Sequence, residues 1–121
     1  MSDTHPIAVP AGSPPVGAAG PARIAELRAA IDGLDERIIA LLAERTRVVR
    51  ELTTYKTDEA TVRSPDRVRQ VLDRVSGLAE RNGMPAEVAV GAYRALIDEL
   101  TRMQLDMLAA RRATTRKADE R

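Results

Sequence analysis

Cysteine, phenylalanine and tryptophan are absent from these 121 residues, and the single histidine, His5, sits between Thr4 and Pro6. The first absence excludes disulfides and thiolate metal sites, and a lone histidine with no partner spacing argues against a metal site or a catalytic triad. The aromatics amount to Tyr55 and Tyr93, too few for a platform on which nucleic-acid bases could stack. A core built from Leu, Ile, Val, Ala and Met suits packed helices better than a sheet. Charge of one sign is also missing. Nineteen basic residues against 18 acidic ones leave a formal charge of +1, which gives no whole-molecule case for nucleic acid or an anionic membrane. No apolar run approaches the ~20 residues that a membrane span needs. The length fits one domain.

What is present falls into three stretches. Residues 1–22 hold five of the seven prolines and three of the seven glycines, and no basic leader precedes their short apolar runs. This reads as a disordered Pro/Ala/Gly arm rather than a signal peptide. Residues 23–111 carry helical periodicity, and 112–121 form a charged tail with none, expected to fray.

Within the middle stretch the pattern predicts an all-α fold of three helices: one long, one short, one medium. In the first, from Ala22 to Thr57, the positions Leu27, Ile31, Leu34, Ile38, Leu41, Arg45, Val48, Leu52 and Tyr55 alternate steps of four and three, with Gly33 as a weak spot. At ~1.5 Å per residue such a helix is about 50 Å long. So small a chain cannot bury that stripe itself, and the pattern therefore predicts a homodimer. The second helix opens on "SPDR", with Ser64 as N-cap, Pro65 at the first helical position and Asp66 in the first turn, and "NG" at Asn82-Gly83 stops it. The third starts near Pro85 and carries Tyr93, Leu96, Ile97, Leu100, Met103, Met107 and Leu108.

Several polar residues occupy apolar places. Arg45 interrupts the long seam, and Lys56 follows it by eleven residues, which on a continuous helix brings it within about 20° of the same direction. Gln104 follows Leu100 by four and precedes Leu108 by four, so it points with the stripe of the third helix. Arg67, in the first turn of the second helix, can reach the same space. A cation at a seam position can be a register device or can snorkel to solvent. Two cations on one face with no acid among their neighbours fit a different role, because buried cations are costly unless an anion meets them. Arg28 lies 17 residues before Arg45, ~25 Å away along the axis and turned by about 100°. It can join such a cluster only across a dimer.

With these residues in view, the chain resembles the AroQ-class, all-α chorismate mutase family. The matching pieces are "LRAAIDGLDERIIALLAERTRVVRELTTYK" at 27–56, "SPDRVRQVL" at 64–72 and "ALIDELTRMQ" at 95–104. The resemblance implies an intertwined homodimer of three-helix chains, with two sites that each take an arginine from the partner chain. It implies that Arg28 from the partner and Arg45 grip substrate carboxylates, that Lys56 binds the enolpyruvyl ether oxygen and a carboxylate, that Arg67 contacts the ring side and that Gln104 donates to the ether oxygen. The activity implied is the pericyclic [3,3] rearrangement of chorismate, a small dicarboxylate, to prephenate. It requires no cofactor and no metal, and it goes with a cytoplasmic isomerase of aromatic amino acid biosynthesis, without nucleic-acid or membrane partners. The resemblance also allows an activating partner enzyme from the same pathway.

Three positions near the ring substituent depart from the enteric-type mutases: Ser64 replaces an acid, Val68 replaces a glutamate and Leu100 replaces a serine. The loop "YKTDEATVRSPDRV" is nearer in style to isochorismate-pyruvate lyases and to 4-amino-4-deoxychorismate mutases. Chorismate stands first as substrate, aminodeoxychorismate next and isochorismate last. A different class is a catalytically weak helical interaction module, in which the seam serves dimerisation alone. A DNA-binding bundle is disfavoured because "LDERIIALLAERTR" interleaves its arginines with acids.

Overall fold

A computed structural model describes residues 19–120. They are helical throughout, with no strand among the described residues: α1 Gly20–Thr53, α2 Glu59–Arg63, α3 Pro65–Arg81 and α4 Ala86–Asp119. No helix among them is long and apolar enough to cross a membrane. Most of the arm, residues 1–18, lies outside the described residues. Its last part does not: α1 begins at Gly20, with Pro21 in the first turn, where a missing N–H breaks no intrahelical bond.

The helices differ in three ways from the sequence expectation. α1 and α4 are equally long at 34 residues, against 17 for α3, so the third helix is not of medium length. Residues 112–119, expected to fray, continue α4 to Asp119. A fourth, single-turn helix, α2, occupies what reads as loop. Asp58 starts it by accepting from the Thr61 N–H at 2.8 Å, an N-cap that satisfies one orphan donor. The signal was there in "DEAT", but five residues are too few to show periodicity.

Chain contacts divide the protein into two units, one ending at Glu44 and the other starting at Arg45. In the first, the apolar residues Ile24, Ile31, Ile38 and Leu41 of α1 are all exposed. In the second, α3 packs on α4 through Val75, Ala79 and Ala89, with Val71, Ala86 and Tyr93 against them. The turn between these helices bears out the Asn-Gly stop. Gly83 takes φ +70°, its N–H bonds to Glu80 O at 3.2 Å, and the Met84 N–H reaches back to Ala79 O at 2.9 Å. This pair of bonds is a Schellman motif, which closes the carbonyls a helix end leaves open.

Candidate active site

Lys56 does not lie on α1. The helix ends at Thr53, and three successive i→i−3 bonds (Thr54 to Glu51, Tyr55 to Leu52, Lys56 to Thr53, at 3.0–3.1 Å) tighten the chain into the loop that carries the lysine. The premise of one continuous helix from Arg45 to Lys56 is therefore wrong. Their meeting holds for another reason: the Lys56 ammonium donates to Gln104 Oε1 at 3.0 Å, across 48 residues of sequence.

A cavity of about 130 Å³ lies in the second unit, and Arg45, Lys56, Ser64, Arg67, Val68, Leu100 and Gln104 all line it. Seven of the eight residues singled out from the sequence thus share one pocket. The eighth, Arg28, is exposed on α1 in the first unit. Among the residues lining the pocket there is no Asp or Glu, while α2 adds a further cation, Arg63, which sequence reasoning missed along with its helix. Arg63 is exposed and bonded to Glu59 at 3.2 Å.

The cations are held in different ways. Arg45 is half-buried, its guanidinium 5.4 Å from the centre of the Tyr93 ring, so an aromatic face stands in for the acid it lacks. Such a contact offsets only ~0.5–2 kcal/mol, a minor part of the cost of removing a charge from water. The Lys56 pKa is lowered from the ordinary lysine value by burial. Arg67 is exposed and donates to Gln70 Oε1 at 2.5 Å.

Ser64 holds the N-cap position of α3 as expected, its carbonyl accepting from the Val68 N–H at 3.1 Å, but its side chain makes no capping hydrogen bond. Its backbone closes α2 instead, the N–H bonding to Ala60 O at 2.9 Å. Among the described residues it is the one non-glycine with positive φ, at 34°, a conformation that costs an L-residue about 1–2 kcal/mol. Ser64 lines the pocket together with the apolar Val68 and Leu100.

Gln104 is 7 % exposed, and its Oε1 accepts from both Lys56 and Thr53. The loop bearing Lys56 is gripped from α4. Arg111 donates to the carbonyls of Thr53, Thr54 and Lys56, and Arg112 donates to Thr57 O at 2.8 Å. The sequence marked Arg112 as the start of a frayed tail; here it ties down the loop that follows α1.

The described residues form an all-helical domain whose small pocket gathers four cations and one buried amide with no acid in its lining, a setting that suits a compact anion. The sequence pattern of the family described as chorismate mutase type II matches residues 27–105, and the chain belongs to that family. As a member it is classed with the isomerases. It is similar to an isochorismate pyruvate lyase of Pseudomonas aeruginosa, 32 % identical over 74 residues that cover 61 % of this chain and 73 % of the relative. It is also similar to a chorismate mutase of Methanocaldococcus jannaschii, 24 % identical over 87 residues, or 71 % of this chain and 88 % of the relative.

Proposed function

We propose that the protein is a chorismate mutase, a cytoplasmic homodimer that converts chorismate to prephenate without a cofactor. The observation that carries this reading is the convergence of Arg45, Lys56, Arg67 and Gln104 on one pocket with no acid in its lining. Chorismate is a dianion. In its rearrangement the enolpyruvyl C–O bond breaks as a C–C bond forms to the ring, and no proton is exchanged with the protein. A pocket can accelerate such a reaction by holding the folded conformer and by stabilising negative charge on the departing ether oxygen. Arg45 holds a carboxylate, Lys56 meets the ether oxygen and a carboxylate, Arg67 meets the ring side, and the Gln104 amide donates to the ether oxygen.

Arg28 completes the site from the partner chain. The exposed apolar residues Ile31, Ile38, Leu41, Val48 and Leu52 on α1 support a dimer, because a second copy would bury them.

Two observations favour a second reading, release of pyruvate from isochorismate: the 32 % identity to the Pseudomonas lyase and the hydroxyl and apolar groups of Ser64, Val68 and Leu100 where an acid would select the ring substituent. Aminodeoxychorismate is the third candidate, since loss of an acid alone does not select an amine. Incubation of the purified protein with each of the three compounds, with products identified by mass and ultraviolet spectrum, separates them. Prephenate from chorismate as the preferred reaction supports the first reading, and preferred pyruvate release from isochorismate replaces it with the second. A folded dimer that turns over none of the three would leave the interaction module.

A further inference from the structure

Thr53 is 1 % exposed, buried beside Gln104 at the end of α1. Its Oγ1 lies 2.7 Å from Val49 O and 3.0 Å from Gln104 Oε1. The hydroxyl has one proton, so it cannot serve both acceptors at once. Lys56 decides between them. An ammonium only donates, so the end of the Gln104 amide that faces it at 3.0 Å is the oxygen. Facing an oxygen that carries no proton, the Thr53 hydroxyl can bond to Gln104 only as a donor.

The reverse arrangement has its own attraction. With the amide turned, Thr53 would donate to Val49 O, the shorter of its two contacts, and accept from Nε2. That turn would set an N–H against the Lys56 ammonium. The two arrangements differ in what Gln104 offers the pocket: in the one described, Oε1 accepts twice and Nε2 has no protein acceptor among the described residues.

We propose that Thr53 is a positioning residue, whose hydroxyl holds Gln104 with its oxygen on Lys56 and its N–H group free for an oxygen of the bound anion. This rests on the proposed function, since the oxygen in question is the substrate's ether oxygen. It adds a residue that touches no substrate and acts only through the amide. The charged groups that face the pair are Lys56 from the loop, Arg45 from α1, Arg63 from α2 and Arg67 from α3, which line the pocket, and Arg111 from α4, which donates to Thr53 O. The orientation of the amide falls to the Thr53–Lys56 pair, whose donors both meet its oxygen.

Thr53→Val keeps the shape and removes the proton, and Thr53→Ser keeps the proton. In Thr53→Val, kcat falls about 10- to 100-fold while KM stays within about threefold, because the lost contact is one made in the transition state. Thr53→Ser restores most of the rate. In a Gln104→Ala background, Thr53→Val costs little more, since both changes remove the same interaction. A Thr53→Val enzyme with normal kcat, or one whose loss multiplies fully with that of Gln104→Ala, overturns the proposal. The side-chain amide resonances of Gln104, recorded without substrate, move in Thr53→Val and hold in Thr53→Ser; equal spectra in all three proteins overturn it also. That readout needs no turnover. A wild type inactive on all three substrates thus refutes the functional reading while the amide spectra still judge Thr53.

Discussion

Arg45 separates a seam residue from a ligand-binding one, because the two roles answer oppositely to leucine. Arg45→Leu repairs the apolar stripe and gives up a contact with Tyr93. We expect the melting temperature to stay within a few degrees, while kcat/KM falls about 100-fold or more, ~2.7 kcal/mol of transition-state stabilisation. Full activity with a raised melting temperature would make Arg45 a register residue. In the proposed reaction Lys56 sets the pH dependence. Burial lowers its pKa from the ordinary 10.5, so the ammonium that meets a dianion is fully present below the lowered value and is lost as pH rises through it. The alkaline limb of kcat/KM therefore lies below pH 10.5, and in kcat it lies higher, because the bound dianion favours the protonated form. Lys56→Arg, whose guanidinium does not titrate in this range, loses the limb at whatever activity remains. A limb that persists unchanged there would assign it to another group.

At the scale of elements, the loop between α1 and α2 is held at both ends, and each hold can be released separately. Arg111 ties the loop carbonyls to α4. Arg111→Ala should lower stability by about 1 kcal/mol and raise KM, because an untethered loop no longer presents Lys56 in one place. Urea unfolding and steady-state kinetics read the two effects. Asp58 anchors the other end. The backbone N–H and hydroxyl of Thr61 hold its pKa below the ordinary aspartate value. A lowered carboxylate pKa stabilises the folded state above the ordinary aspartate range, and that contribution disappears as pH falls through the folded value. The Thr61 amide should lose hydrogen-exchange protection in Asp58→Ala at any pH, and in the wild type only in acid.

For the whole molecule, the proposed dimer makes a prediction that no single chain can satisfy. If Arg28 acts in its partner's site, a mixture of inactive Arg28→Ala and inactive Arg45→Ala proteins regains activity after exchange of subunits. Each mixed dimer then holds one intact site, so random exchange returns about a quarter of wild-type activity. If Arg28 serves its own chain, the mixture stays inactive. Leu41→Asp, which places a charge on the exposed apolar face of α1, should shift the protein to monomer in sedimentation and abolish turnover with it.

Helical class, the Asn-Gly stop and the residue types of the pocket were all legible in the chain. Periodicity and caps are properties of neighbours a few residues apart, and cations or an amide on an apolar face stand out by their cost. What tertiary structure decided are relations over long separations. Lys56 reaches Gln104 across 48 residues although α1 ends before it, and Thr53 reaches the same amide across 51. Arg111 closes the end of α1 from 58 residues away, at the border of a tail whose polar sequence has no local reason to be ordered. A threonine at the end of a helix and an arginine beside a charged tail look ordinary in sequence, since each takes its meaning from a hydrogen-bond partner that only the packing of α4 against the loop supplies.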